Sequence, residues 1–294
     1  MRSFVVPLVL LVASQSCLSL KNLDKPRWKS FSDAELECAE YLFITEETLQ
    51  RYQSQGYPDE PSVRKLLNCI EVNLNAWDED HLQIKDYVFK QFFIPNNIDC
   101  QYVQHTKECI AQNVTTLASN DSLGRAYQTF QCYYRNYAAI SGEVKWVPYH
   151  FSDIVQTLYD CMHIVPHSNQ SLLDYCQGRI VTNPDYPRLG YCFFVRSGFY
   201  SKMAGIELQK LYVQFGSDGL LKEDTKACVA GEISQYCREP DRFGHIVLDC
   251  LIEYLPAGRD IGTAASQALG NPPECGIAPS PPPKTQPCYN GPCS

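Results

Sequence analysis

In Phe31-Ser32-Asp33-Ala34-Glu35-Leu36-Glu37-Cys38 the opening Phe31-Ser32-Asp33 is echoed later in the chain by Phe151-Ser152-Asp153, followed by Cys161. The cysteines after each copy keep step. Cys38 to Cys69 spans 31 positions, and so does Cys161 to Cys192. Cys109 to Cys132 spans 23 and Cys228 to Cys250 spans 22. Thr106-Lys107-Glu108-Cys109 is echoed by Thr225-Lys226-Ala227-Cys228. A unit of about 115 residues is therefore repeated in tandem, much longer than the ~20 to 45 residues of a solenoid repeat.

Each unit reads as helix. Ser32-Asp33-Ala34-Glu35 has the form of a capping box, with Leu36, Ala39 and Phe43 following at helical spacing. Val63, Leu66, Leu67, Ile70, Leu74 and Trp77 make one apolar face after Ser62. Ile154, Leu158, Cys161, Met162 and Val165 repeat that pattern, as do Phe243, Ile246, Val247, Cys250, Leu251 and Tyr254. Three- and four-residue recurrence is the period of an amphipathic helix. Gly56-Tyr57-Pro58 and Asn183-Pro184-Asp185 are turn signals between helices. No long stretch alternates at period two, so the fold class is all-α.

The first residues set the compartment. Met1-Arg2-Ser3 is a short cationic start, Phe4–Ala13 is apolar, and Ser14, Ser16 and Ser19 are small. That three-part pattern marks residues 1–20 as a secretory signal peptide, too short to span a bilayer. The expected localisation is secreted, with no membrane span. Cys17 leaves with the signal, so an even number of the 15 cysteines remains in an oxidising compartment. Metal binding is the rival use of cysteine. No Cys-x-x-Cys and no His-Glu-x-x-His is present, so disulfides are expected and no metal site is. Asn113, Asn120 and Asn169 head Asn-x-Ser/Thr triplets and are glycosylation candidates.

Composition and motifs exclude much else. The net charge of -8 argues against a nucleic-acid partner. There is no nucleophile elbow, no P-loop and no dinucleotide fingerprint. With the cysteines oxidised, no thiolate is available as a nucleophile. No enzyme activity and no cofactor are expected.

Helical units of this size, secreted and stapled by spaced cysteines, resemble the insect odorant-binding protein family. That family has six helices around an apolar cavity and six cysteines, joined first to third, second to fifth and fourth to sixth. Cys38, Cys69, Cys109 and Cys132 match the first, third, fourth and sixth; Cys161, Cys192, Cys228 and Cys250 match them again. The second and fifth would fall at Lys65 and Leu123, and at Arg188 and Asp241. These are partners in the family, so losing both leaves no orphan. Asp121-x-Leu123-x-x-Ala126 and Phe130-Gln131-Cys132-Tyr133-Tyr134 also look like the family. The two-domain form is similar to atypical mosquito members.

The resemblance implies pairs Cys38–Cys69, Cys109–Cys132, Cys161–Cys192 and Cys228–Cys250. It implies two tandem six-helix domains, at 28–145 and 146–260. Cys176 and Cys237 are extra and are expected to pair. Cys100, Cys275, Cys288 and Cys293 allow two more bridges in three connectivities. Residues 271–294 hold eight of the 19 Pro and three Cys, and form a Pro/Cys-rich tail expected to be stapled back to the body.

The function implied is non-covalent carriage of small hydrophobic ligands of odorant or pheromone type, with a chemoreceptor as a further partner. Scavenging of lipid mediators, biogenic amines or hormones in saliva or haemolymph is an alternative. A protein-interaction module without a cavity is another. Aromatics make up 12% of the chain. Candidates to line a first cavity are Trp77, Phe89, Phe92, Phe93, Phe130, Tyr133 and Tyr134. For a second they are Phe193, Phe194, Tyr212, Phe215 and Phe243.

Overall fold

Helix α1 (Phe31–Tyr41) begins one residue before the box expected at Ser32. Ser30 is its N-cap: the Ser30 hydroxyl accepts from Asp33 N at 3.0 Å, and the Asp33 carboxylate accepts from Ser30 N at 2.9 Å. That start turns Glu35 inward, to 3% exposure. The computed structural model describes residues 27–235, 239–256, 258–273 and 275; the signal-peptide expectation, Cys237, Cys288 and Cys293 lie outside them.

Strand β1 (Trp28–Lys29) precedes α1. Helix α2 (Glu46–Ser54) is capped by Thr45, and α3 (Pro61–Asn73) opens on a proline at N1, where a missing N–H costs nothing. Strands β2 (Trp77–Asp78) and β3 (Gln83–Ile84) form a small hairpin. Helix α4 (Asp86–Phe89) runs on through a 3-10 turn, Lys90–Phe92, into β4 (Phe93–Ile94). Helices α5 (Tyr102–Asn113) and α6 (Ser122–Asn136) follow, then β5 (Ala139–Ile140), which places Ile140 opposite Phe93. Strand β6 (Lys145–Trp146) returns to pair with β1, Trp146 opposite Trp28.

The second half repeats the order: α7 (Phe151–Ile164), α8 (Asn169–Cys176), α9 (Tyr186–Arg196), a hairpin of β7 (Tyr200–Ser201) and β8 (Gly205–Ile206), then α10 (Leu208–Phe215), α11 (Glu223–Gln235) and α12 (Glu239–His245). Helix α12 continues as one π-helical stretch, Ile246–Leu251. Each half is thus three helices, a hairpin and three helices, and the fold is all-α with strands of two residues. The faces read from the sequence are the buried ones: Val63, Leu66, Leu67 and Ile70 on α3, and Ile154, Leu158, Cys161 and Met162 on α7.

A thirteenth helix, α13 (Arg259–Ala268), was not expected. It lies on α7 and α8. Gly262 faces α8, where a Cβ would come into ordinary contact with the Tyr175 carbonyl oxygen at 3.5 Å.

Five disulfides close the described structure. Cys38–Cys69 ties α1 to α3 and Cys109–Cys132 ties α5 to α6. Cys161–Cys192 ties α7 to α9, and Cys228–Cys250 ties α11 to the π-helical stretch. The fifth corrects the expected Cys176–Cys237 pair: Cys176 is bonded to Cys275, with Cα atoms 5.1 Å apart. The reason is α13, which folds back along α8 and delivers Cys275 to the end of it. Cys100 lies exposed just ahead of α5.

The buried apolar residues of both halves form one continuous cluster. Between the halves, Arg27 pairs with Asp153, and the Asn75 amide donates to the Pro148 carbonyl at 3.1 Å. Tyr87 meets Tyr212 edge-on at 6.3 Å. Gly216 ends α10 at φ +74°, and a Cβ there would lie 2.6 Å from the Tyr87 ring.

Candidate ligand site

Most of the aromatic residues singled out from the sequence are core. Trp77, Phe89, Phe92, Phe93, Phe130 and Tyr133 are buried. Phe89, Phe93 and Tyr133 meet at centroid distances of 5.1 to 5.2 Å. Two of these contacts are edge-to-face and the Phe93–Tyr133 pair is tilted at 34°, packing that gains more than area burial alone. In the second half Phe193, Phe194, Tyr212 and Phe243 are buried and Phe215 is half-buried. Phe193, Phe194 and Phe215 pack around Phe199, which the sequence did not single out. Tyr212 instead faces the first half, under the Lys90 ammonium at 5.3 Å.

Tyr134 is the exception. It is half-buried on α6 and walls a groove of about 430 Å³ with Gln53, Tyr57, Ala138, Ala139 and Ile140. Gln53 comes from the last turn of α2, Tyr57 from the turn that follows, and the alanines and Ile140 from β5 and its approach. The Tyr134 ring stacks on Phe130 at 5.5 Å and 18°, and meets Tyr57 edge-on at 5.7 Å.

The turn holds an unusual backbone. Gly56 has φ +68° and Tyr57 φ +58°. A bulky residue in the left-handed region is costly and persists only when its surroundings over-determine it. They do so here. Tyr127 Oη and Gln131 Nε2, both on α6, donate to the Tyr57 carbonyl at 3.1 and 2.9 Å, and Tyr57 N donates to Tyr52 O at 2.7 Å.

Behind the groove stands Glu35. Its carboxylate accepts from Tyr57 Oη at 2.7 Å and from Gln53 Nε2 at 2.8 Å. Burial pushes the Glu35 carboxyl up, and the two hydrogen bonds oppose that shift without cancelling it. Burial, with the Glu35 charge second, raises the Tyr57 hydroxyl far above its ordinary value. A second acid lies deeper. Glu71 on α3 is 1% exposed, neither of its oxygens has a partner, and burial holds its carboxyl well above the usual range.

Gln53, Tyr57 and the three residues around β5 were missed from the sequence. The Gly56-Tyr57-Pro58 turn signal pointed to the place without giving it a role. Asn113, Asn120 and Asn169 are all exposed. Among the described residues, Glu232, His245 and Asp249 bring ligand atoms within 4.8 Å of one another; the hydrogen bond between His245 Nδ1 and the Asp249 carboxylate at 3.1 Å accounts for two of them. No described helix is long and apolar enough to cross a membrane.

The helical order and the repeated staples define a disulfide-bonded, all-α protein. The family model described as the PBP/GOBP family matches residues 21–136. General odorant-binding protein 69 of Anopheles gambiae is 30% identical over 179 residues, covering 58% of this chain and 76% of that protein. The chain belongs to the PBP/GOBP family, the insect odorant-binding proteins. No solved structure matches it.

Proposed function

We propose that this protein binds small apolar molecules without covalent chemistry and carries or sequesters them outside the cell. One observation carries the proposal: an aromatic-walled groove has Gln53, Tyr57 and Tyr134 within the stretch matched by the family model, and Ala138, Ala139 and Ile140 just beyond its end. The volume suits a ligand of one or two rings, since small-molecule sites run from ~300 Å³ upward. The similar mosquito protein is named for odorant binding, and an odorant-type ligand is the form proposed here.

The proposal extends to processing and organisation. Residues 1–20 act as a removed signal, 28–145 and 146–260 are the two repeated units, and Asn113, Asn120 and Asn169 accept glycans. The dense packing of Phe89, Phe93 and Tyr133 favours a second reading, a solid interaction module. Titration with N-phenyl-1-naphthylamine separates the two. Saturable uptake, reversed by an apolar competitor, is expected of a carrier. Fluorescence that rises without saturating supports the solid module instead.

A further inference from the structure

The Glu35 carboxylate decides which way the groove's only amide side chain faces. An ionised carboxylate has acceptors and no donor. Gln53 therefore presents its Nε2 hydrogens to Glu35, at 2.8 Å, and cannot present its oxygen. The Tyr57 hydroxyl proton is committed to the same carboxylate, at 2.7 Å. What Gln53 leaves over is Oε1, to which nothing donates among the described residues. Gln53 itself is exposed on α2 and walls the groove. Tyr134 supplies a ring face, fixed from behind by Phe130. Ala138, Ala139 and Ile140 supply an aliphatic wall.

We infer that this groove prefers flat apolar molecules that carry one hydrogen-bond donor, such as aryl alcohols, which donate to Gln53 Oε1, and that Glu35 is the positioning residue that holds the amide in that sense. This rests on the carrier reading above and adds the ligand class. A ligand with an ether oxygen in the same place would set acceptor against acceptor. A ligand with a methyl group there would desolvate Oε1 and return nothing, and unmade hydrogen bonds are what site selectivity is made of.

A near-isosteric pair tests it: 1-naphthol and 1-methylnaphthalene, titrated by calorimetry into the full chain. The readout is the ratio of the two dissociation constants, because general damage to the groove moves both together. In Gln53→Leu the preference for 1-naphthol is expected to fall about fivefold, through weaker binding of 1-naphthol and relief of the desolvation that 1-methylnaphthalene imposes on Oε1. In Glu35→Gln the amide is no longer held in one sense, so the ratio is expected to fall part of the way, without an equal loss of both ligands. Tyr134→Phe removes the other hydroxyl on the groove wall and is expected to leave the ratio intact.

An unchanged ratio in Gln53→Leu overturns the inference. So does a ratio lost in Tyr134→Phe but kept in Gln53→Leu, or equal loss of both ligands in Glu35→Gln. If neither naphthalene binds while N-phenyl-1-naphthylamine is still taken up, the groove assignment is wrong and the carrier reading stands. If the probe is not taken up either, both fall.

Discussion

Glu71 is the residue whose chemistry is most at odds with its place. It sits among Leu67, Ile70 and Leu74, all fully buried, with no partner on either oxygen. An ionised carboxylate there would be far too costly, so the group holds its proton. The consequence for stability has a definite sign. The unfolded chain releases this proton near the ordinary value of 4.5, while the folded chain keeps it. Above that pH the native state binds more protons than the unfolded state, so native stability falls as pH rises, by about 1.4 kcal/mol per unit until Glu71 ionises. Glu71→Gln removes that slope. In urea unfolding with the disulfides intact, the variant is expected to gain on the wild type steadily from about pH 4.5 upward. Parallel curves would contradict it.

At the scale of elements, the sequence was informative where apolar residues are large and evenly spaced. The buried faces of α3 and α7 came directly from their periodicity. Helix α13 did not, because its inward residues are small: Gly262, Ala264, Ala265 and Ser266. Small residues give a weak hydrophobic signal, yet they let two helices approach closely. With α13 unseen, Cys275 belonged to a tail and Cys176 was matched to the wrong partner. The Cys176–Cys275 bridge closes a loop of 99 positions, and the chain-entropy relation gives about 4.7 kcal/mol for such a loop. Replacing both cysteines by serine is expected to cost about 2 to 5 kcal/mol. Amide exchange should rise first along α13. Protection on α13 that survives the double substitution would show that packing alone holds it.

The site was less legible than the fold for a related reason. Aromatic residues at helical spacing point into a core, and Phe89, Phe92, Phe93, Phe130 and Tyr133 are there. The groove is made by a left-handed turn at Gly56-Tyr57 that α6 grips through Tyr127 and Gln131. That contact joins positions about 70 residues apart, and no local pattern encodes it.

Across the whole molecule, two similar halves are clasped by a few close contacts, and at Gly216 the Tyr87 ring leaves no room for a Cβ. Alanine at Gly216 meets both a left-handed backbone and the tyrosine ring. Alanine at Gly178 meets only the backbone, at φ +79° with nothing within 4 Å. Gly178→Ala is expected to cost about 1 kcal/mol and Gly216→Ala about 3 kcal/mol, the difference being overpacking against the partner half. Equal losses would mean the halves part easily enough to absorb a methyl group.

The groove at Tyr57 and Tyr134 is expected to take up apolar ligands. Ala138 is exposed on its wall, so Ala138→Trp fills it without touching the core. N-phenyl-1-naphthylamine is titrated into the wild type and into this variant, with thermal unfolding run beside both. Saturable uptake by the wild type is expected, with affinity about tenfold weaker in Ala138→Trp at unchanged thermal stability. Uptake of equal affinity in both proteins, or none in the wild type, would contradict the account.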